Sequence, residues 1–371
     1  MRYIDEHRFR RIVRHARVTN PFYRRCITDE NAVPILTRRM LQAHNDEILN
    51  GHPVTISTSG SSGTPVRIHQ SPERQRLSNN HAALLVRHLG GPLARTQLIN
   101  PRGPNDPETL INVHTPVEQQ LEALTSGFAV RRATGIVTYP SNALLLAQAI
   151  TERNLDYGFI RRIGLISESF DAAQRAQIQR AFPRAKIWSS YSCCELGMIS
   201  FECPFEPEFH HAATNLLGIE ILDEAGRDCA PGEVGRLVIT DYFNRDMPLI
   251  RYELGDLAAF GTCPCGRIDR PALQTILGKV RGCLRRRDGR RIPFIGLSLV
   301  LRDVPGLRQF QVIQDGLEAF TIKVDATRDV GPEIRAAFAQ EFGYEPRITL
   351  EPVTSIPRDP SGKFHFSICR V

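Results

Sequence analysis

The sequence predicts an α/β protein: a large N-terminal α/β domain with parallel-rich sheets plus a β-rich subdomain, then a small C-terminal α+β domain. Three observations carry this. Between Ile136 and Trp188 β-branched strands alternate with helix-length segments, the rhythm of βαβ units and a mostly parallel sheet. Near Leu216 the chain becomes β-rich. Around Gly278 it changes again, into a compact α+β pattern. The expected domains are therefore 1–277 and 278–371.

Taken in order, residues 1–25 read as a basic amphipathic helix ending near Asn20-Pro21, and 34–49 hold a second short helix, after Pro34-Ile35-Leu36-Thr37. Val54-Thr55-Ile56 and Val66-Arg67-Ile68 are β-branched runs flanking Thr58 to Pro65. Pro72 to Leu89 is a third helix. Ile136 to Tyr139 is a strand, Pro140-Ser141-Asn142 a turn and cap, and Ala143 to Arg153 a helix. Ile163 to Ile166 is a strand, Asp171 to Phe182 a helix, and Lys186-Ile187-Trp188 the next strand. Gly218 to Leu222 and Gly235 to Thr240 form the β-rich block around an Asp223 to Gly226 turn. Beyond Gly278 the extended runs are 290–292, 310–313, 319–324 and 347–353, with a helix over 331–342.

The 371 residues suffice for two or three domains, and 42% hydrophobic with 23% charged content is that of an ordinary globular protein. No apolar run is long enough to span a bilayer, and the N-terminus lacks an apolar signal core. Nine cysteines, an odd number with no secretory signal, argue against a disulfide framework. A cytoplasmic location is expected. The net charge of +7 is mostly arginine, at Arg8 to Arg25 and Arg285 to Arg291. Without aromatic interleaving or a recognisable motif, this argues against nucleic acid and for solvated faces or a phosphorylated small molecule.

Ser59-Gly60-Ser61-Ser62-Gly63-Thr64 is the most informative stretch. Glycines let the backbone approach a ligand, and hydroxyls and N–H groups donate to anionic oxygens. It reads as a triphosphate loop or as a Ser/Gly surface loop. It is not a Walker loop, since no Lys follows Gly63. Glu195, in Tyr191-Ser192-Cys193-Cys194-Glu195, sits at a strand's carboxyl end, where open α/β sheets place ligands, and can hold Mg²⁺. Tyr191 can stack on a purine or be a rim tyrosine. In Arg251-Tyr252-Glu253-Leu254-Gly255-Asp256 the glycine permits a tight turn that presents Asp256 to two ribose hydroxyls, or an Asx turn. Lys363, in Ser361-Gly362-Lys363, is either a mobile cation for developing phosphate charge or a solvated terminal lysine.

The order of these motifs, with Gly278-Lys279-Val280-Arg281 between Asp256 and Lys363, resembles the adenylate-forming superfamily of acyl-CoA synthetases, nonribosomal-peptide adenylation domains and luciferases. Asn20-Pro21-Phe22-Tyr23 with Pro34-Ile35-Leu36-Thr37, the Tyr139-Pro140-Ser141 turn, and Cys263-Pro264-Cys265-Gly266-Arg267 are similar to the phenylacetate–CoA ligase branch. The resemblance covers nearly the whole chain. It implies ATP-dependent activation of a small, possibly aromatic, carboxylic acid as an acyl-adenylate, then transfer to the thiol of coenzyme A. It further implies that the C-terminal domain is mobile and carries the catalytic lysine. By matching positions, Ser59 to Thr64 hold the phosphates, Tyr191 the adenine, Glu195 the metal and Asp256 the ribose, while Lys363 bridges carboxylate and α-phosphate. Tyr139, Pro140 and Ser141 line the acid pocket, together with Ile166 to Ser169. Transfer to a carrier-protein thiol or an amine stays open, as do a homodimer and a non-catalytic nucleotide-binding protein of the same fold.

Three departures stand out. Cys194 replaces the usual Thr of the nucleotide motif, and a thiol is the weaker donor. Lys279 replaces the ribose-contacting Arg, and the two are not equivalent at a bidentate site. Arg281 replaces the hinge Asp. Cys203, His210, Cys263 and Cys265 supply the soft ligand set of a structural zinc, with His211 as alternative ligand. Asp288-Gly289 reads as a hairpin turn, and Arg285, Arg286 and Arg287 beside it could meet coenzyme A phosphates.

Overall fold

The computed structural model describes residues 2–58, 65–88, 96–100, 110–168, 170–279, 283–359, 362 and 364–371. It is the mixed α/β architecture the sequence implies: a large sheet containing parallel strands, and a separate C-terminal domain. Two compact units divide the chain, Met1–Ile276 and Leu277–Asp359 with the C-terminal strand.

The first unit opens with β1 (Arg2–Tyr3), α1 (Glu6–Thr19) and α2 (Pro21–Cys26). The single N-terminal helix expected is two. Asn20 adopts extended backbone, closes α1, and accepts from Phe22 N to cap α2, while Pro21 occupies the first helical position. The helix expected after Pro34-Ile35-Leu36-Thr37 follows β2 (Leu36–Thr37), with the Thr37 hydroxyl as its cap, but it is two short helices, α3 (Arg38–Ala43) and α4 (Asn45–Leu49), because the His44 backbone leaves helical geometry between them. A short hairpin, β3 (Ile56–Ser57) with β4 (Arg67–Ile68), leads to α5 (Pro72–His88).

Next come β5 (Thr96–Asn100), β6 (Leu110–Asn112), α6 (Val117–Arg131), β7 (Gly135–Thr138), α7 (Pro140–Glu152), β8 (Arg162–Ile166), α8 (Ala172–Ala181) and β9 (Lys186–Cys193). The five strands are parallel, in the order β6-β5-β7-β8-β9. Gly164 on β8 lies opposite Trp188 on β9, and a Cβ there would stand 2.4 Å from the indole, so only glycine fits under that ring. Leu121, Leu124, Leu146, Ile150, Ile163 and Phe182 fill the core between this sheet and its helices.

Beyond β9 the sheet turns antiparallel through β10 (Gly197–Glu202), β11 (His210–Ala212), β12 (Leu217–Leu222), β13 (Gly235–Asp241), β14 (Tyr252–Gly261) and β15 (Ala272–Lys279). The order runs β9-β10-β11-β15-β14-β13-β12-β1, with β2 on β14. This is the β-rich block, and its core is shared with α1, α2 and α4. The second unit comprises the hairpin β16 (Cys283–Arg285) and β17 (Arg291–Pro293), α9 (Ile295–Arg302), β18 (Leu307–Gly316), β19 (Ala319–Ala326), α10 (Gly331–Phe342), β20 (Arg347–Pro352) and β21 (Ser367–Cys369). Its sheet order is β20-β19-β18-β21, and Phe320, Phe338 and Phe342 pack in its core. Among the described residues no helix is long and apolar enough to cross a membrane.

One buried ion pair ties the first unit's layers together. Arg74 on α5 and Asp241 at the end of β13 are 1% and 2% exposed, with Nε 2.5 Å from Oδ2. Arg74 also donates to the Ser78 hydroxyl and, through Nη2, to the Leu196 carbonyl at 2.6 Å. Asp241→Ala leaves the guanidinium uncompensated and is expected to cost about 3–5 kcal/mol in a urea unfolding series. A change within experimental error would show that the pair is dispensable.

Candidate functional site

The β9–β10 hairpin positions Tyr191 and Glu195. Cys193 pairs with Gly197, and Gly197 takes φ +70°, closing a three-residue loop, 194–196, that carries Glu195. Glu195 is buried, and Arg38 at the start of α3 donates to it through Nη1 at 2.6 Å. The same guanidinium reaches the Tyr252 hydroxyl at 3.4 Å and the Thr58 hydroxyl at 3.2 Å. The carboxylate read from sequence as a metal ligand is thus already paired with a cation. Among the described residues its hydrogen bonds, from Arg38 and Tyr252, both go to Oε1. Burial, and then the Glu195 charge, push the Tyr252 phenol well above its ordinary range.

Tyr191 donates its hydroxyl to Asp256 Oδ2. Burial and the Asp256 charge hold the phenol protonated. Asp256 does not follow a turn between elements, as its glycine suggested. Gly255 at φ +81° lies inside β14, where one residue of β13, Leu237, faces three of β14, Leu254 to Asp256, between the Arg236–Leu257 and Val238–Glu253 pairs. The glycine makes a β-bulge that re-aims Asp256 toward Tyr191. Arg251, with φ +47°, grips Glu220 through Nε and Nη2, both at 3.0 Å, and the Val33 carbonyl through Nη1 at 2.7 Å. Its role in this chain is to hold the segment before β2 and thereby Arg38.

Gln70 Nε2 donates to the Cys194 carbonyl at 3.4 Å. Burial, then the Glu195 charge, raise the Cys193 thiol well above its usual range, which disfavours the thiolate. Tyr139 and Pro140 stand at the carboxyl end of β7, and Ser141 N donates to Glu168 Oε2 at 3.0 Å. This bond joins the ends of adjacent parallel strands β7 and β8, the two segments expected to line an acid pocket. Ser59 to Thr64, Ser169, Arg281 and Lys363 lie outside the described residues, and so does the side chain of Lys279.

Arg38 escaped the sequence reading because an arginine after a Thr cap looks like any first-turn surface residue. Asp288-Gly289 does close the β16–β17 hairpin. Its arginines are engaged locally. Arg286 donates to the Glu341 carbonyl at 2.7 Å, and Arg287 pairs with Glu318 with its guanidinium 3.9 Å from the Tyr344 ring centre. Arg285 N donates to Gln314 Oε1 at 2.8 Å.

Cys203, His211, Cys263 and Cys265 converge, their ligand atoms all within 4.8 Å of one another. His211 and not His210 completes this set. Successive residues of β11 face opposite sides, so only one can reach the thiols. His210 instead lies 3.3 Å from the Ser189 hydroxyl, and burial and Arg175 lower it to about 4. His211 Nδ1 stands 3.3 Å from the Arg270 carbonyl and Nε2 3.7 Å from Cys265 Sγ, the orientation of a ligating imidazole. Burial pushes Cys263 up to about 12; at Cys265 burial raises the thiol but the Arg267 and Ile268 N–H groups outweigh it and draw it down. Arg267 stacks on Phe205, 4.4 Å to the ring centre, closing the cluster from outside.

Comparison with known proteins bears on the fold. The chain has the fold of the adenylate-forming ligases: 2-hydroxyisobutyryl-CoA ligase bound to an acyl-adenylate superposes with a TM-score of 0.77 over 98% of this chain and 88% of that one, at 16% identity. Bacillus subtilis O-succinylbenzoate coenzyme A synthetase, with AMP, gives 0.58 over 83% and 66%, at 17% identity. Along its length the sequence is similar to a phenylacetate-coenzyme A ligase of Thermus thermophilus, 23% identical over 98% of this chain and 95% of that protein. Residues 284–370 match the CapK C-terminal domain. The resemblance to the phenylacetate–CoA ligase-like branch of the adenylate-forming superfamily therefore holds.

If the thiol cluster takes zinc, His211→Ala should lose about one metal per chain by elemental analysis and His210→Ala none, as expected of a closed four-ligand site. Equal zinc in all three proteins would assign the cluster to reduced thiols.

Proposed function

We propose that the protein is an AMP-forming acid–thiol ligase, which activates a small carboxylic acid with ATP and passes the acyl group to coenzyme A. The observation that carries this reading is the convergence of Tyr191–Asp256 and Arg38–Glu195, from separate segments, at the end of β9 and on the neighbouring bulge. A carboxylate and a triphosphate are both anions. Bringing them together needs fixed positive charge, and orienting them converts a bimolecular step into a local one.

In this reading Tyr191 flanks the adenine, and the Asp256 carboxylate accepts from the ribose hydroxyls. Ser59 to Thr64 cradle the β- and γ-phosphates, with Cys194 and Lys279 as weaker contacts than the Thr and Arg of the family pattern. Glu195 would hold Mg²⁺, which when bound neutralises phosphate oxygens. Arg38 keeps Glu195 aimed before nucleotide arrives. The acid lies against Tyr139, Pro140 and Ser141, and its oxygen attacks the α-phosphate, expelling pyrophosphate. Lys363 stabilises the charge that develops there. The thiolate of coenzyme A then attacks the acyl carbon, and AMP leaves. The cluster of Cys203, His211, Cys263 and Cys265 would hold a structural zinc that fixes the segment after β10 to the Cys263 turn.

Arg286 and Arg287 are bound within their own unit, which weakens the case for them as coenzyme A phosphate ligands. That favours a second reading for the acceptor alone: a carrier-protein thiol or an amine.

Lys363→Ala is expected to slow acid-dependent pyrophosphate release by about 10²–10³-fold, the scale for removing one preorganised charge donor. ATP affinity should stay near wild type. Parallel loss of ATP affinity would make Lys363 a structural residue, and no release with any acid in a broad panel would favour a non-catalytic nucleotide-binding protein.

A further inference from the structure

The structure points to a second metal site, independent of the thiol cluster, and we propose that His52, His69 and Asp246 bind a borderline divalent ion of the zinc class. Their ligand atoms all lie within 4.8 Å of one another. The site is built by backbone. Asn50 and Gly51, at φ +52° and +79°, fold the chain back after α4, and His52 N donates to the Leu49 carbonyl at 3.0 Å. His69, 6% exposed, is held on both sides: its N–H meets Met247 Sδ at 3.2 Å, and its carbonyl accepts from Asn244 Nδ2 at 2.7 Å.

The decisive feature is the direction of the His69 ring. Nδ1 lies 2.7 Å from the Pro53 carbonyl, which can only accept, so Nδ1 carries the proton. A neutral ring then presents the Nε2 lone pair to Asp246 Oδ2 at 3.2 Å. Two acceptors facing each other at that distance repel unless a cation stands between them. A proton can serve, and so can a metal ion. A histidine whose Nδ1–H is bound by a carbonyl, with Nε2 turned toward a carboxylate, has the orientation of a metal ligand. The His52 ring, stacked on His69 with centroids 4.9 Å apart, brings a third donor. Two imidazoles and one carboxylate suit zinc, cobalt or nickel, and are too nitrogen-rich for magnesium. Asp246 is 37% exposed in its side chain, so an ion can enter from solvent and complete its shell with water.

The two histidines flank the Thr55–Ile68 segment, whose ends are joined by the Thr55 N–H bond to the Ile68 carbonyl at 2.9 Å. An ion here would clasp the stem of the β3–β4 hairpin to the turn between β13 and β14. None of its three residues is assigned a part in the proposed reaction.

The test uses full-length protein in which Cys263→Ser and Cys265→Ser remove the thiol site. After chelation and dialysis it should bind about one Co²⁺ per chain, with weak ligand-field bands and no sulfur-to-cobalt charge-transfer band, as nitrogen and oxygen donors require. Adding His52→Ala or Asp246→Asn should weaken Co²⁺ binding by at least about tenfold, the loss that even an outer-shell partner produces. Should the double-serine protein not fold, zinc content of the otherwise unchanged chain decides, and His52→Ala should lower it by about one ion. No uptake by folded double-serine protein, or uptake and zinc content indifferent to His52→Ala and Asp246→Asn, would overturn the proposal and leave His69 and Asp246 as a proton-bridged pair.

Discussion

The candidate site hangs on the buried pair of Arg74 and Asp241. Burying a guanidinium and a carboxylate is costly, and the pair persists because nearly every polar atom is used. Arg74 spends Nη2 on the Leu196 carbonyl, one residue from Glu195, and so fixes the loop that carries that carboxylate. Asp241 spends Oδ1 on the N–H groups of Phe243 and Asn244. Asn244 in turn accepts from Ser71 N and donates to the His69 carbonyl. One ion pair therefore anchors both the Glu195 loop and the chain leaving the β3–β4 hairpin. Strand β13, which ends in Asp241, is the common support.

A second tier of charge rests on that frame. Arg38 and Arg251 approach from opposite ends of β2 and meet Glu195 and Glu220. Each carboxylate is nearly fully buried, so each needs its partner. The outcome is a Glu195 carboxylate held in one place by Arg38. Preorganisation of this kind is what a reaction between two anions demands. The bulge at Gly255 does the same for Asp256, turning an otherwise regular strand residue toward Tyr191.

Much of this was legible in the sequence, for identifiable reasons. The βαβ segments from β7 to β9 read correctly because their strands are β-branched runs and their helices begin at Pro140 and Asp171. Glu195, Tyr191 and Asp256 stand out in the sequence as candidates because each sits in a motif whose order along the chain is distinctive, and the structure brings Tyr191 and Asp256 into contact. The first helix ends near Asn20-Pro21 as the sequence implies, but Asn20 also caps the further helix α2, and the break at His44 between α3 and α4 carries no glycine or proline to mark it. Arg38 was missed because its partner lies 157 residues away, and no local pattern encodes that distance. His210 and His211 were adjacent candidates that only strand orientation could separate. The bulge at Gly255 looked like a turn because a left-handed glycine serves both.

The central claim is that Tyr191 and Asp256 form the nucleoside half of an ATP site framed by these buried pairs. Calorimetric titration of the full-length protein with ATP and Mg²⁺ tests it most directly. The account predicts one nucleotide per chain in the wild type, with binding reduced at least about tenfold by Asp256→Ala, as when a charged hydrogen-bond acceptor is lost. Binding of ATP with wild-type affinity by a folded Asp256→Ala protein would contradict it.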